Sequence, residues 1–335
     1  MRAAIYNGAE RITVEEVADP TAGPGELVVR TSACGICGSD LMTWYQDPRA
    51  PVVLGHEPVG TVVQAGAGAP FDVGTRIFVH HHVPCMTCDL CRRGRHTLCD
   101  TFRRTRIDPG GLAEMFRVPA ENARLDVLEL PRGMDDATAT LIEPLACILR
   151  GQRLAGVGPA SGVVVVGAGS MGLLEAELAL ALGARAVVVI EPREDRRAAA
   201  AALGATVLPA CDPRAVADAL GGRLADQVFV CTHHHGAIND ALSLAGHAAV
   251  VQLFAPTAPG DMVPLDLGSI FFREVQIQST YSAGPLDTRD ALALLADGRV
   301  RGEGVVTHRV PFAQVQEAFR LARSGEALKV VIEFG

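Results

Sequence analysis

The amino-acid sequence predicts an α/β protein of two domains, a β-rich domain followed by a doubly wound parallel sheet. Its 335 residues exceed what one ordinary core accommodates. Residues up to about 140 contain short β-like runs separated by glycine and proline, for example residues 26–30, 60–63 and 76–79. From Val163 onward strand and helix patterns alternate, which is typical of a parallel sheet with helices on both faces.

The second domain is predicted from its periodicity. Residues 163–166 are consecutive valines, as in a strand that is buried on both faces of a parallel sheet. The patterns that follow are helices at 171–182 and 194–203 and strands at 186–190, 226–231 and 248–253. Near the end of the chain, helical patterns at 287–296 and 312–322 precede a strand at 329–333. Pattern alone leaves open whether this C-terminal segment extends the second domain or returns to the first.

The composition excludes several classes of protein. A formal net charge of −8 does not fit a nucleic-acid-binding surface, which needs clustered Lys and Arg against phosphate. No apolar run approaches the ~18 residues of a membrane span, and the N-terminus lacks the pattern of a secretory signal. We therefore expect a cytoplasmic protein with a small-molecule substrate and no nucleic-acid or membrane partner.

The chain contains nine cysteines, which in a reducing compartment indicate metal binding or catalysis rather than disulfides. Four of them have the spacing C-x2-C-x2-C-x7-C, namely Cys85, Cys88, Cys91 and Cys99. Four thiolates so spaced close a tetrahedral shell around one zinc ion and leave no open position. The sequence therefore predicts a structural zinc lobe at about residues 80–103. The adjacent triplet His80–His82 and His96 are not needed as ligands there and are predicted to be structural or surface groups.

A glycine-rich turn follows the valine strand, with the pattern G-x-G-x-x-G over Gly167, Gly169 and Gly172. The first glycine permits a tight turn, the second lets the backbone approach a pyrophosphate, and the third lets helix pack on strand. Ser170 and Met171 begin the helix, whose N-terminal N–H groups favour phosphate. The sequence therefore predicts a dinucleotide-binding loop.

Glu191 lies 19 residues beyond the last glycine of that loop, at the end of the next strand. A carboxylate in this position binds the adenosine ribose hydroxyls and disfavours a 2′-phosphate. An ordinary acidic cap on the following helix is the alternative interpretation. Arg193, Arg196 and Arg197 follow closely and could favour NADP. We predict NAD, with Arg196 near the cofactor.

A second candidate metal site is dispersed along the chain. Cys37 lies in Gly-Ile-Cys-Gly-Ser-Asp, His56 and Glu57 lie in Gly-His-Glu, and Glu143 precedes a proline. Each is a weak signal alone. Together with the four-cysteine lobe and the glycine turn, they resemble the zinc-containing medium-chain dehydrogenases. The Ile-Glu-Pro-Leu element at Glu143 resembles the polyol and threonine dehydrogenase branch of that family.

The resemblance runs in order over nearly the whole chain and implies a domain organisation and an activity. It implies a GroES-like catalytic domain at 1–147, a Rossmann NAD(P)-binding domain at 148–282, and a return to the catalytic domain at 283–335. It also implies two zinc ions per chain and a homodimer or homotetramer. The implied reaction transfers hydride between NAD and a secondary alcohol such as a polyol, cyclitol, diol or threonine. Two alternatives stay open: an NADPH-dependent carbonyl reductase, and a non-catalytic nucleotide-binding sensor or structural protein.

The resemblance also implies the residues of the catalytic site. Cys37 and His56 ligate the catalytic zinc. Glu57 and Glu143 both lie at the metal, where one binds directly while the other holds the water on zinc, and the sequence does not choose between them. Asp40 orients the His56 ring, as carboxylates commonly do for metal-bound imidazoles.

The proton path departs from the family pattern. Ser39 is implied to contact the substrate hydroxyl and to pass its proton onward. Family members often carry histidine five residues after the ligand cysteine, but Met42 stands there and cannot transfer protons. The path must therefore leave elsewhere, through Glu143, the cofactor ribose or water. His233–His235, beyond a predicted strand, are a further candidate for this role.

Overall fold

The computed structural model describes residues 1–302 and 304–335, which form two compact units. The first unit comprises Met1–Ala146 and Ser282–Gly335, and the second comprises Cys147–Tyr281. The C-terminal segment, which the sequence pattern left unassigned, is therefore part of the first unit.

The strands of both units are numbered in chain order. They are β1 Arg2–Tyr6, β2 Ile12–Glu16, β3 Leu27–Gly35, β4 Val52–Val53, β5 Glu57–Ala65, β6 Arg76–Val79, β7 Met115–Val118, β8 Val127–Glu129, β9 Gly162–Val166, β10 Ala186–Ile190, β11 Thr206–Leu208, β12 Ala225–Val230, β13 Ala245–Leu253, β14 Gln276–Ser279, β15 Val306–Pro311 and β16 Lys329–Glu333.

The helices are numbered in the same way. They are α1 Thr43–Gln46, α2 Asp89–Arg92, α3 Asp100–Arg104, α4 Ala120–Leu125, α5 Asp136–Ala139, α6 Ile142–Ala155, α7 Ser170–Ala181, α8 Glu194–Ala202, α9 Pro213–Ala219, α10 His235–Leu244, α11 Leu267–Phe271, α12 Pro285–Ala296 and α13 Val315–Ser324. Short 3-10 turns occur at Gly38–Leu41, Asp47–Arg49, His96–Leu98 and Phe312–Gln314.

The first unit is built around a mostly antiparallel sheet in the order β15-β16-β3-β5-β6-β8, with β7 also paired to β3. A smaller sheet has the order β2-β1-β4. Strand β3 is central because it pairs with β16 on one side and β5 on the other. The last strand of the chain therefore lies next to a strand from its beginning, and this pairing positions part of the candidate site.

The second unit is a parallel sheet in the order β11-β10-β9-β12-β13-β14, with helices between successive strands. All five residues of β9 are buried, which explains its unbroken apolar sequence. The chain order of the sheet reverses between β9 and β12, where the carboxyl ends of two neighbouring strands open a crevice suited to ligands. The predicted fold class, a β-rich unit plus a doubly wound parallel sheet, is confirmed.

The helices of the described residues are all too short or too polar to cross a membrane.

Candidate metal and cofactor sites

The four-cysteine lobe brings Cys85, Cys88, Cys91 and Cys99 together, with their sulfur atoms within 4.8 Å of one another. Backbone N–H groups of Cys88 and Thr87 donate to Cys85 Sγ at 3.3 and 3.4 Å, and the N–H of Cys85 donates to Cys99 Sγ at 3.4 Å. Hydrogen bonds from Thr87 lower the pKa of Cys85 to about 5. Thiolates stabilised by N–H donors are the donor set that closed zinc sites use.

Cys37 and His56 are placed by a single buried carboxylate. Cys37 precedes the 3-10 turn Gly38–Leu41, and its N–H donates to Asp40 Oδ2 at 3.0 Å. The other oxygen, Asp40 Oδ1, lies 3.4 Å from His56 Nδ1. Asp40 is only 2% exposed, so it fixes both groups rigidly. With Nδ1 directed at Asp40, His56 presents Nε2 as its ligand atom.

Glu57 is fully buried at the start of β5 and forms an ion pair with Lys329 at the start of β16. Lys329 Nζ lies 2.6 Å from Oε1 and 2.5 Å from Oε2 of Glu57. Burial lowers the pKa of Lys329 and the charge of Glu57 raises it, with a net rise, so the ammonium stays charged. The pair satisfies a buried carboxylate that would otherwise be costly.

Gly35 makes this pair possible, because it lies on β3 between the two partner strands, opposite Glu57 on β5 and Val331 on β16. A Cβ atom at Gly35 would lie 1.9 Å from Glu57 Oε2 and 3.0 Å from Lys329 Cε. Any side chain at this position would therefore displace the carboxylate.

The ligand atoms of Cys37, His56 and Glu57 lie within 4.8 Å of one another, and we call these residues the first ligand set. A thiolate, an imidazole and a carboxylate are the donors that zinc takes at catalytic sites with an open position. The residues present therefore fit a zinc ion. Glu143 lies instead in the first turn of α6, within 4.8 Å of ligand atoms of His80 and His81. We call His80, His81 and Glu143 the second ligand set.

The two sets adjoin. The rings of His56 and His81 have centroids 4.9 Å apart. Burial and the neighbouring His82 and His56 lower the pKa of His81, so its imidazole is neutral. His80 is fully buried and His81 half-buried, which fits the structural and not the surface alternative that the sequence left for them. His82 is bonded through Nδ1 to the carbonyl oxygen of Thr105, and its ring lies between those of His81 and Phe102, with centroids 4.2 and 5.2 Å away.

The glycine-rich turn joins β9 to α7 at the crevice between β9 and β12. Gly167 has a φ of +98°, which favours glycine, and Gly169 caps α7 with open space where a side chain would lie. A Cβ at Gly172 would lie 1.8 Å from the carbonyl oxygen of Gly167. Ser170 and Met171 form the first turn of α7. The free N–H groups of this helix start face the open side of the turn, where a pyrophosphate fits.

Glu191 follows β10 and is 4% exposed. Its Oε2 accepts a hydrogen bond from Ala168 N at 2.8 Å, and Oε1 accepts one from Arg193 N at 3.0 Å. The carboxylate is thus fixed against the glycine turn. Arg197 donates to the carbonyl oxygens of Glu191 and Pro192, while Arg196 is half-buried on α8.

The remaining candidates for proton transfer lie in different places. Ser39 is half-buried within the 3-10 turn after Cys37, and Gln46 Nε2 donates to its carbonyl oxygen at 3.0 Å. Met42 directly follows that turn. His233–His235 are exposed after β12 in the second unit, with His235 Nε2 3.5 Å from Asp261.

Sequence reasoning missed Lys329 and Asp126. Lys329 opens an apolar strand 272 residues from Glu57 and carries no local motif. Asp126 accepts from His80 Nδ1 at 2.7 Å, although no spacing in the sequence links the two. A charged residue predicted inside a buried strand was the one available signal for Lys329.

Two family models match the chain. The model for the alcohol dehydrogenase GroES-like domain matches residues 23–131, and the model for zinc-binding dehydrogenases matches residues 170–297. These matches cover most of the first unit's N-terminal part and most of the second unit.

Characterised relatives match over almost their full length. The chain is 31% identical to L-galactonate-5-dehydrogenase of Escherichia coli over 94% of both proteins. It is 30% identical to L-threonine 3-dehydrogenase of Bacillus velezensis, covering 99% of this chain and 98% of that protein. Among solved structures, the alcohol dehydrogenase TADH from Thermus sp. ATN1 superposes with a TM-score of 0.88 at 30% identity, with 100% of both chains covered.

Proposed function

We propose that this chain, which belongs to the zinc-binding alcohol dehydrogenase family, oxidises a secondary alcohol with NAD at the first ligand set. The family membership makes it an enzyme, an oxidoreductase that transfers hydride between an alcohol and a nicotinamide cofactor. The observation that carries the proposal is the convergence of a thiolate, an imidazole and a carboxylate within 4.8 Å at Cys37, His56 and Glu57.

The catalytic roles follow from this arrangement. Cys37 and His56 would hold the zinc ion, with Asp40 fixing both. Glu57 would be the carboxylate nearest to the zinc ion, and Glu143 would approach the ion from α6. The ion would supply Lewis-acid chemistry that lowers the pKa of the substrate hydroxyl.

Ser39 would accept the hydroxyl proton of the substrate and pass it to water, since Met42 offers no acceptor. NAD, held at the turn of Gly167, Gly169 and Gly172, would supply the acceptor for the hydride that the alcohol carbon loses as it becomes a carbonyl. Fixing both reactants in place supplies much of the rate of such a step.

The substrate class is a polyol, cyclitol, diol or threonine-like alcohol. Two relatives are named for dehydrogenation at carbon 5 of L-galactonate and at carbon 3 of L-threonine, both interior carbons that carry a secondary hydroxyl. A polar substrate of this kind also suits a site lined by imidazoles and carboxylates rather than by large aromatic rings.

NAD is proposed over NADP because of Glu191. Its fixed, nearly buried carboxylate lies against the turn of Gly167, Gly169 and Gly172, with Ser170 and Met171 at the helix start. A carboxylate held there would accept hydrogen bonds from the ribose hydroxyls, and its negative charge would repel a 2′-phosphate. Arg196 would flank the adenosine end of the cofactor.

Two zinc ions per chain are proposed, one at the first ligand set and one in the lobe of Cys85, Cys88, Cys91 and Cys99. The lobe closes its shell with four sulfurs, whereas the first set leaves room for a substrate oxygen.

The function is tested by following reduced-nicotinamide absorbance with NAD and NADP in parallel, across polyols, cyclitols, diols and threonine. A signal with NAD and one of these alcohols supports the proposal. A signal with NADPH and carbonyl compounds alone would favour a reductase. Protein that holds two zinc ions yet binds neither cofactor would contradict the dehydrogenase assignment.

A homodimer or homotetramer is proposed from the edge of the second unit's sheet. Strand β14 is the last in the sheet order, and no other strand of the described residues pairs with its outer edge. Ile277 on β14 is 39% exposed, and Phe271 and Phe272 beside it are 75% and 82% exposed. An open strand edge with exposed apolar side chains nearby is self-complementary about a two-fold axis. Light scattering should therefore give a multiple of the chain mass, and Phe272→Asp should reduce it; a monomeric parent protein contradicts the proposal.

A further inference from the structure

The second ligand set has the features of a built metal position and lies beside the first. Its members come from separate elements, His80 and His81 from the segment after β6 and Glu143 from α6. Their ligand atoms nevertheless converge within 4.8 Å. Two imidazoles and a carboxylate are ligands that zinc and cobalt(II) accept.

His80 is oriented as metal-binding histidines are. Its Nδ1 is 2.7 Å from Asp126 Oδ2, and the other oxygen of Asp126 accepts from Thr288 Oγ1 at 2.5 Å. All three residues are fully buried. A carboxylate on Nδ1 fixes the ring and leaves Nε2 as the ligand atom. Asp40 has the same relation to His56 in the first set.

The backbone of the two histidines is fixed as well. Asn122 Nδ2 donates to the carbonyl oxygens of His80 and His81 at 3.0 and 3.2 Å. The N–H of His80 donates to the carbonyl oxygen of Asp126 at 3.1 Å. Both histidines are therefore held in place before any ion binds.

Two ring nitrogens of this set, His80 Nε2 and His81 Nδ1, are buried and have no hydrogen-bond partner among the described residues. A buried polar atom without a partner costs free energy unless something satisfies it. The two atoms belong to neighbouring rings with centroids 5.2 Å apart. An ion between them and the Glu143 carboxylate would satisfy both.

We propose that the second ligand set is a further binding position for a divalent transition-metal ion, adjoining the first ligand set. The position has nitrogen and oxygen ligands and no thiolate. Its ligands are therefore harder, in the sense of hard and soft donor atoms, than those of the first set. Because His56 and His81 lie side by side, an ion at the second position would remain next to the proposed catalytic zinc position. The inference rests on the proposed function only in taking the first set as that position.

Cobalt(II) binding to the full chain tests the proposal without any need for turnover. The parent for the test is Cys37→Ser, which removes the thiolate of the first set, with zinc kept in the four-cysteine lobe. We expect it to bind one cobalt ion per chain, with visible d–d bands and without the near-ultraviolet thiolate-to-cobalt band. Adding His81→Gln or Glu143→Gln should weaken that binding roughly 10-fold or more, since even outer-shell changes have such effects.

The matched control is His247→Gln in the same parent, because His247 is an exposed histidine on β13 of the second unit and belongs to neither ligand set. It should bind cobalt as the parent does. The proposal is overturned when Cys37→Ser binds no cobalt, or when His81→Gln binds it as tightly as the parent, since His81 belongs to the second set alone. The two variants change different elements of the fold. Circular dichroism shows which of them is folded, and a folded variant is used for the test. The cobalt experiment and the turnover assay give independent results. Loss of cobalt binding would not change the outcome of the turnover assay, and a failed turnover assay would not change the number of cobalt ions bound.

Discussion

The four-cysteine lobe and the first ligand set both gather donor atoms that could hold a metal ion, but they are built in opposite ways. The lobe lies within one segment, from Cys85 to Cys99, and its thiolates receive hydrogen bonds from that same segment. The first set joins the end of β3, the start of β5 and, through Lys329, the start of β16. A local site can be recognised from spacing, whereas a dispersed site depends on the sheet that assembles it.

The two regions also differ in how deeply their charged groups are buried. The lobe gathers its sulfurs near the surface, where Cys85 and Cys88 are only half-buried. The first set fully buries Glu57 and balances it with Lys329, across a glycine that leaves space for both. The dispersed site should therefore respond more strongly to loss of a distant partner.

The largest effect is expected at Cys37. Cys37→Ala removes a proposed zinc ligand, so kcat/KM should fall on the order of 10³-fold or more, because Lewis-acid assistance supplies several kcal/mol. Steady-state turnover and zinc content check this result. Cys211→Ala, outside both clusters, is the matched control and should keep full activity. Retained turnover in Cys37→Ala would contradict the assignment.

Cys85→Ala tests the local site in the same way. We expect one zinc ion per chain to be lost and Tm to fall by roughly 5 °C or more, since a structural metal contributes directly to folding. Cys37→Ala should lose one zinc with a much smaller change in Tm. Equal Tm losses in the two variants, measured by calorimetry, would remove the distinction between a structural and a catalytic site.

Lys329→Met leaves the buried Glu57 without its partner. We expect a loss of about 3 kcal/mol in the free energy of unfolding, the usual cost of breaking a buried ion pair from one side. Urea unfolding measures it. Adding Glu57→Gln should recover much of the loss, because the uncompensated charge is then gone. An unchanged stability in Lys329→Met would show that the pair does not hold the sheet at this point.

A buried carboxylate without such a partner gives the smallest effect. Burial raises the pKa of Glu175 on α7 to about 8, and its neighbour Gln152 donates at 2.7 Å without neutralising it. A raised carboxyl pKa means that the folded state holds the proton longer. Stability is therefore complete below the unfolded pKa of about 4.3 and is lost as pH rises towards 8.

Glu175→Gln should remove this dependence of the free energy of unfolding on pH between 5 and 8. Unfolding of the variant and the parent, compared at several pH values, isolates the effect from other groups. Parallel pH profiles for the two proteins would contradict the role given to Glu175.

Much of the fold could be predicted from periodicity and turn residues. The strands β9, β10 and β16 lie within one residue of their predicted bounds, because an unbroken β-branched run has few alternatives. Strand β13 begins at Ala245, three residues earlier than predicted, because Ala245 pairs with Ala225 of β12 ahead of a register shift. The helix predicted from 312 begins as a 3-10 turn and becomes α-helical at Val315.

The candidate sites also differ in whether their residues could be predicted from local sequence patterns. The glycine turn and the four cysteines could be named as candidate sites from their spacing alone, which the sequence displays directly. Glu57 and Glu143 could be named only through a family resemblance, and the resemblance did not show that Glu143 groups with His80 and His81. That grouping arises from where α6 begins relative to the end of β6.

By itself, then, the sequence determined the two-unit α/β architecture, the lobe of four thiolates, the dinucleotide turn and the acidic residue beyond it. These depend on contacts between residues close in the chain, whose geometry follows from backbone periodicity and short spacing. Only the tertiary structure decided that Lys329 balances Glu57, that Asp126 orients His80, and that two ligand sets adjoin at His56 and His81. Those contacts join residues far apart in the chain, and their closeness is set by sheet pairing and burial, which no local motif in the sequence specifies.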